Sequence, residues 1–187
     1  MKRYQITEWC HHFIREHVKE GDICIDATAG NGNDTLLLCQ LVGDEGKVVA
    51  FDIQPEAIAH TKDRLEKAEV SHRAELYLKS HVCMCEHVEK ESVSCIVFNF
   101  GYLPGGDHNL ATQKETSVQA IQEGLSLLKK GGMMSLCIYS GGDSGFEERD
   151  AILKMVKELD GKQFLVIVSS YYNRPNNPPI PVMIIKL

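Results

Sequence analysis

The sequence predicts an α/β fold in which a mostly parallel sheet carries helices on both faces. Apolar runs of strand length alternate with stretches of helical periodicity along the chain, which is the pattern of successive β–α units. A proline-rich loop, 173–181, joins the last two apolar runs without a helix, so one strand is expected to be antiparallel. The 187 residues are long enough for one domain, 1–187, with a sizeable core.

Seven apolar runs have the length and composition of strands. The early runs are each followed by a helical pattern, as parallel strands require. The fourth is apolar almost throughout, which is typical of a strand buried on both faces. The predicted strands cover 23–26, 48–51, 74–78, 92–99, 133–139, 164–169 and 182–187.

Five stretches repeat apolar residues at helical spacing. The first is expected to begin with Thr7 as a cap and to bury Trp9, Phe13 and Val18 on one face. A proline suits the first turn of the third helix, and the pair Gly131–Gly132 is expected to end the fourth. The predicted helices cover 7–18, 33–41, 55–67, 111–130 and 151–159.

The protein is acidic overall. The formal net charge is −6, so nucleic acid would have to bind through a local basic patch. Such a patch is present in the first 20 residues, whose helix is expected to be a solvated face, to cover the site, or to contact RNA or a second subunit. Its basic residues are Lys2, Arg3, His11, His12, Arg15 and His17.

The cysteine pattern and the hydropathy predict a cytoplasmic protein. No apolar run reaches the roughly 18 residues that span a bilayer, and the N-terminal segment lacks an apolar signal core, so no membrane partner is expected. The seven cysteines are scattered and several lie in apolar runs, as reduced, buried thiols do. Cys83 and Cys85 lack the spacing and partners of a zinc site, so no metal is expected.

Residues 23–52 organise the chain as strand, glycine turn, helix, strand and acid. Gly30 and Gly32 suit a tight turn whose backbone approaches a ligand closely. The helix that follows presents free N–H groups at its N-terminus. Asp52, 20 residues after Gly32, can accept hydrogen bonds from ribose hydroxyls. The segment therefore predicts a nucleotide site.

The residues around the turn select the kind of nucleotide. Thr35 stands where a dehydrogenase usually has a third glycine, which disfavours a dinucleotide. Asp26, at the end of the first strand, would repel a pyrophosphate but suits a cationic ligand such as S-adenosylmethionine. The stretch 26–32, Asp-Ala-Thr-Ala-Gly-Asn-Gly, resembles the first motif of class I methyltransferases, with Thr28 in place of the first glycine. This resemblance implies a Rossmann-like sheet of seven strands, the seventh antiparallel.

A second motif ends the fourth strand. The amide oxygen of Asn99 and a neighbouring carbonyl can accept hydrogen bonds from an amine, and Tyr102 can stack on a base. The sequence Asn-Phe-Gly-Tyr resembles the Asn-Pro-Pro-Tyr motif of methyltransferases that act on nitrogen, with Phe100 and Gly101 replacing the prolines. Asp107 and His108, in the loop that follows, are candidates for accepting the amine proton. Segments 140–144 and 171–174 are expected to form a substrate wall.

Taken together, these motifs resemble a bacterial family known as the putative rRNA methylases. Members are assigned as tRNA 5-aminomethyl-2-thiouridine methyltransferases, which implies S-adenosylmethionine as donor and a tRNA anticodon loop as acceptor. The terminal Asn-Arg-Pro-Asn-Asn-Pro-Pro stretch is part of the resemblance. The predicted catalytic residues are Asn99, Tyr102, Asp107 and His108, and the predicted cofactor-binding residues are Asp26, Gly30, Asn31, Gly32, Asn33, Asp34, Asp52, Gln54, Ser80, His81, Asn99 and Phe100.

Other functions stay open on the sequence. A methyltransferase for ribosomal RNA or for a small amine would need the same cofactor-binding residues, so these residues do not distinguish it from a tRNA methyltransferase. A regulatory nucleotide-binding domain without chemistry is disfavoured by the Asn-Phe-Gly-Tyr loop, since a sensor does not need to orient an amine. For the basic first helix, a contact with the second subunit of a homodimer is the alternative to a contact with RNA.

Overall fold

A seven-stranded sheet with helices on both faces forms the described part of the chain. The structure is a computed structural model that describes residues 5–101, 114–140 and 142–187. Its strands are β1 Ile23–Asp26, β2 Lys47–Asp52, β3 Ala74–Leu78, β4 Val93–Phe100, β5 Leu128–Ile138, β6 Phe164–Val168 and β7 Ile180–Lys186. Its α-helices are α1 Ile6–His17, α2 Asn33–Val42, α3 Pro55–Lys67, α4 Lys114–Leu127 and α5 Gly142–Lys157, and short 3₁₀ helices cover Ser71–Arg73 and His81–Glu86.

The strand order is β3-β2-β1-β4-β5-β7-β6. Strands β1 to β5 pair in parallel, and β7 is antiparallel to both β5 and β6. This arrangement confirms the predicted mostly parallel sheet with one antiparallel strand. The order reverses next to β1, and the carboxyl ends of β1 and β4 at this reversal are the position at which open α/β sheets usually bind ligands.

Each face of the sheet has its own hydrophobic core. On one face α1, α2 and α3 cover the sheet, with Ile14, Leu38 and Leu65 buried among strand residues. On the other face α4 and α5 do so, with Ile121 and Ile152 at the centre. Alternate residues of β1, β2 and β4 therefore enter opposite cores, which explains why these strands are apolar almost throughout. None of the helices in the described residues is long and apolar enough to span a membrane.

The first helix differs from its predicted cap and face. It begins at Ile6 after Gln5, so Thr7 lies inside the helix and is not its cap. Val18 is buried as predicted, but Trp9 is 40% exposed, and the face that packs on the sheet is formed by Ile6, Cys10 and Ile14. These three residues are spaced by four and meet β5 and β7, so contact with the sheet decides which side of the helix is inside.

The fourth helix ends earlier than predicted. Its last residue is Leu127, and β5 starts at Leu128, which pairs with Val93 of β4. The register then shifts, because Cys95 pairs with Met133, so the intervening residues of β5 bulge out of the ladder. Gly131 has a φ of +77° and serves this bulge instead of a helix terminus. The fifth helix is longer than predicted and starts at Gly142.

Candidate cofactor and substrate site

The glycine turn after β1 is held from outside by α3. Gly30 and Gly32 have φ values of +53° and +74°. A Cβ atom on Gly32 would lie 2.8 Å from the Thr61 Cα, so only glycine lets α3 approach the turn this closely. The Thr61 hydroxyl donates to the Gly30 carbonyl at 3.2 Å, and Arg64 Nε donates to the Asn31 carbonyl at 2.7 Å. These carbonyls are thereby occupied, and the backbone of the turn is fixed before any ligand binds.

Asp52 links the end of β2 to the same turn. Its Oδ2 accepts a hydrogen bond from the Gly30 N–H at 2.9 Å, and its Oδ1 accepts one from the Gln54 N–H at 2.9 Å. Each carboxylate oxygen has a second lone-pair site, so the group can still accept from two neighbouring hydroxyls. Ile53, between these residues, is 51% exposed and offers an apolar surface. Ile53 was not among the residues predicted from the sequence, although an apolar residue directly after a strand-ending acid would have been the signal.

Asp26 is buried and bonded to the chain on both oxygens. It accepts from the Thr28 N–H at 3.1 Å and from the Thr35 hydroxyl at 2.6 Å. Burial raises the pKa of Asp26 to about 7, and the charges of Asp34 and Asp52 add to the rise, while the two hydrogen bonds oppose it. Asp26 therefore braces the turn against α2. Thr35 stands at the position where a dehydrogenase usually has glycine, and here it is the hydrogen-bond partner of Asp26.

Three aspartate side chains lie at the turn, and the charges of Asp34 and Asp52 make this end of the sheet negative. Asp26, Asp34 and Asp52 are close enough for the latter two to influence the pKa of the first. A cationic sulfonium or ammonium group is favoured here, and a pyrophosphate is disfavoured. The acidic surroundings fit S-adenosylmethionine and agree with the argument from the missing third glycine.

The buried ring of His81 also suits a bound nucleoside. The ring is 8% exposed, and burial lowers the pKa of His81 while a hydrogen bond with the Ala27 backbone opposes the shift. Within the described residues its Nε2 is buried and has no hydrogen-bond partner. Ser80 caps the 3₁₀ helix that carries His81 by accepting from the Val82 N–H at 3.5 Å. A neutral imidazole with a free nitrogen beside the turn suits a polar edge of a bound base.

Asn99 lies where β4 meets the turn. Its backbone N–H donates to the Thr28 hydroxyl at 2.7 Å, and its Nδ2 donates to Asp34 Oδ2 at 2.6 Å. The other Asp34 oxygen accepts from His11 Nε2 at 2.5 Å. Three elements, α1, α2 and β4, thus meet at one carboxylate. His11 was predicted only as part of a basic helix, because nothing in the local sequence signals a partner 23 residues away.

The other residues predicted for the site differ in how exposed they are. Phe100 is fully buried and stacks on Phe98, with ring centroids 5.0 Å apart, so its side chain does not line the open surface of the site. Asn33 is exposed at the start of α2, and Gln54 is 6% exposed. Tyr102, Asp107 and His108 lie outside the described residues.

A small cavity lies on the same edge of the sheet, under α1. Its volume is about 170 Å³, and its lining is mainly apolar. The strand register links it to the site, because Asn99 pairs with Cys137, Cys137 pairs with Pro181, and the Ser169 N–H donates to the Pro181 carbonyl. Tyr172, just beyond it, is fully exposed. The residues that line the cavity are Ile6, Trp9, Ser169, Ser170, Tyr171 and Pro181.

The fold and this site define a class I methyltransferase that uses S-adenosylmethionine. The model of the family described as Putative rRNA methylase matches residues 48–185, and the chain belongs to that family. The resemblance predicted from the motifs and the predicted cofactor are therefore both confirmed.

Solved structures and a plant relative agree with this assignment. A putative rRNA-methylase from Clostridium thermocellum is 41% identical, with a TM-score of 0.96 over 100% of both chains. A putative methyltransferase from Streptococcus mutans, solved in complex with SAH, is 37% identical over 97% of both chains, with a TM-score of 0.88. The chloroplastic tRNA (mnm(5)s(2)U34)-methyltransferase of Arabidopsis thaliana is 35% identical over 97% of this chain and 69% of its own length.

Proposed function

We propose that this protein methylates the aminomethyl nitrogen of a modified wobble uridine in tRNA, which gives methylaminomethyl-thiouridine. The observation that carries the proposal is the Asn99 side chain, fixed by Asp34 at the carboxyl end of β4. A side-chain amide held in this way has its oxygen available to accept an N–H from an amine. The name of the plant relative supports the choice of tRNA as acceptor.

The residues of the turn would hold the donor. Asp52 would accept from its ribose hydroxyls, and His81 would meet its base. When bound, S-adenosylmethionine supplies a methyl group that passes to the amine nitrogen while the electron pair of the carbon–sulfur bond stays on sulfur. The contribution of the protein is mainly to position the two reactants.

An aliphatic amine must lose a proton before it can act as a nucleophile. Asp107 and His108 follow the Asn99 motif in sequence and are the proposed acceptors of that proton. Asn99 itself orients the amine through Oδ1 and does not take the proton, because an amide is not basic near neutral pH.

The carboxyl edge beyond Asn99 is the proposed RNA surface. Pro181, which lines the cavity under α1, lies across two strand pairings from Asn99, on the order of 10 Å at the usual spacing between strands. Tyr172 and Arg174 are exposed there and combine a stacking surface with a phosphate partner. An unpaired anticodon base would reach the site at little cost in unpairing energy.

Nucleoside mass spectrometry of bulk tRNA tests the proposal directly. Cells that lack the gene should lose methylaminomethyl-thiouridine and accumulate its aminomethyl precursor. Return of the wild-type gene should restore the product, and return of an Asn99→Ala variant should not. An unchanged tRNA profile would reject tRNA as the acceptor and direct the search to ribosomal RNA or small amines.

A further inference from the structure

Asp34 connects the first helix to the residue proposed to orient the amine. Its two oxygens accept hydrogen bonds from His11 Nε2 at 2.5 Å and from Asn99 Nδ2 at 2.6 Å. The side chains of His11 and Asp34 are each 14% exposed, so water competes weakly for these bonds. Hydrogen bonds to a charged group in such surroundings are among the stronger ones in proteins.

The carboxylate decides which way the Asn99 amide faces. A side-chain amide carries its donors on nitrogen and its acceptor lone pairs on oxygen. A rotation by 180° would place Oδ1 against the Asp34 carboxylate, two acceptors with no proton between them. The nitrogen therefore stays on Asp34, and Oδ1 is the atom that can accept from an amine.

Packing of the first helix does not account for His11. The helix buries Ile6, Cys10 and Ile14 against the sheet, and His11 lies one position beyond this row. Its ring reaches across to the first turn of α2, where Asp34 is the second residue. The contact is polar, and it engages the Asp34 oxygen that Asn99 does not use.

We infer that His11 is a positioning residue for methylation: by holding Asp34 it keeps the Asn99 oxygen directed at the amine. The inference rests on the proposed function for the identity of the acceptor, but the contact itself does not depend on it. Without His11, one Asp34 oxygen is released, the carboxylate gains freedom to rotate, and the Asn99 amide loses its fixed partner. The chemical step should then slow while binding is largely retained.

Four variants and a matched control test this inference. His11→Ala removes the ring, and His11→Phe keeps a ring of similar size without an N–H. His11→Gln keeps an N–H donor near the place of Nε2. The double variant His11→Ala/Asn99→Ala shows whether His11 acts through Asn99. The control is His72→Ala. His72 forms a similar pair with Asp44 at 2.9 Å, on the exposed surface next to the N-terminal end of β3.

Kinetics are measured on a tRNA anticodon stem–loop that carries the aminomethyl group. The Ala and Phe variants should lose about 10- to 100-fold in kcat through misplacement of the amine, with little change in KM for RNA. The Gln variant should recover most of the loss, and His72→Ala should behave as wild type. In the Asn99→Ala background, removal of His11 should have no further effect on kcat.

Proton exchange at the Asn99 side-chain amide can be measured without an RNA substrate. In ¹⁵N-resolved NMR spectra its proton bound to Asp34 should exchange slowly in wild type and faster in His11→Phe. Unchanged exchange, a kcat within about twofold of wild type for the Phe variant, or a full loss in the Asn99→Ala background would each overturn the inference. If wild type does not methylate the stem–loop while the Asn99 exchange still depends on His11, the proposed function fails and the positioning role stands.

Discussion

The backbone N–H of Gly30 donates to the carboxylate of Asp52 at 2.9 Å, so the residue that ends β2 holds the turn that follows β1. The two residues are 22 positions apart, and the contact joins the predicted ribose acceptor to the predicted cofactor turn. It places the carboxylate at the mouth of the turn. The same contact makes Asp52 a contributor to stability as well as to binding.

Replacement of Asp52 by alanine should weaken cofactor binding. Ribose hydroxyls would lose one or two hydrogen bonds to a charged group, each worth about 1.5–3 kcal/mol, so the Kd for S-adenosylhomocysteine should rise roughly 10- to 100-fold or more. Isothermal titration calorimetry measures the change. Asp63→Ala, which removes an exposed carboxylate of α3 paired with Lys67, is the control. Retained wild-type affinity in Asp52→Ala would remove Asp52 from the cofactor site.

Replacement of Asn99 by alanine should separate binding from turnover. The cofactor is held mainly by the turn and β2, so its Kd should change by less than about threefold, while kcat should fall on the order of 100-fold. Single-turnover assays with labelled methyl donor measure the chemical step. Gln119→Ala removes an exposed amide of α4 that is bonded to Glu123, and it should leave both quantities unchanged. Unaltered turnover in Asn99→Ala would show that the amide does not orient the acceptor.

Gly32→Ala should destabilise the fold more than a change at another left-handed glycine. At Gly32 the new Cβ meets the Thr61 Cα at 2.8 Å, whereas at Gly131, with a φ of +77°, it meets no atom within 4 Å. The left-handed conformation alone costs about 1–2 kcal/mol, and overpacking adds about 1–3 kcal/mol. Urea denaturation of the two variants should therefore show the larger loss for Gly32→Ala. Equal losses would mean that α3 moves away from the turn freely.

Asp26 should make the protein less stable as pH rises from about 4 to 7. The folded state raises the pKa of Asp26 from 3.8 to about 7, so in this range it binds more protons than the unfolded chain does. Asp26→Asn can keep both hydrogen bonds, with Oδ1 accepting from Thr28 and Nδ2 donating to the Thr35 hydroxyl. Relative to wild type, the variant should gain up to a few kcal/mol of unfolding free energy between pH 4 and pH 8.

The opposite slope is expected at Asp44. Hydrogen bonds from His72 and Arg73 lower the pKa of Asp44, so its contribution is present at neutral pH and is lost as pH falls. Denaturation of Asp26→Asn and Asp44→Asn at a series of pH values checks both signs. A difference between wild type and Asp26→Asn that does not vary with pH would show that Asp26 is ionised throughout the range.

Local patterns were sufficient for the order of elements and for the turn. Strand and helix periodicity come from alternation within a few residues, and the antiparallel β7 follows from a proline-rich connection too poor in helix formers for a crossover. Gly30 and Gly32 were identified because their residue type is tied to backbone conformation, and both adopt positive φ.

Local patterns did not settle which of two possible faces is buried. In α1, Trp9 and Phe13 are spaced by four as Ile6, Cys10 and Ile14 are, and periodicity cannot choose between the two rows. The glycine pair after α4 is equally ambiguous, since it suits a helix terminus as well as a bulge. Pairing of Leu128 with Val93 decided for the bulge.

The sequence by itself determined the β–α alternation, the glycine turn, the strand-ending acids and, through its motifs, the class of cofactor. Only the tertiary structure decided that Asp34 joins His11 to Asn99, which lie 23 and 65 residues from it along the chain. It also decided that Gly32 is required by Thr61 and that Asp26 is sealed from solvent. The physical reason is that propensity and periodicity act between near neighbours, whereas these contacts exist only after the sheet has assembled and helices from separate parts of the chain have packed on one face of it.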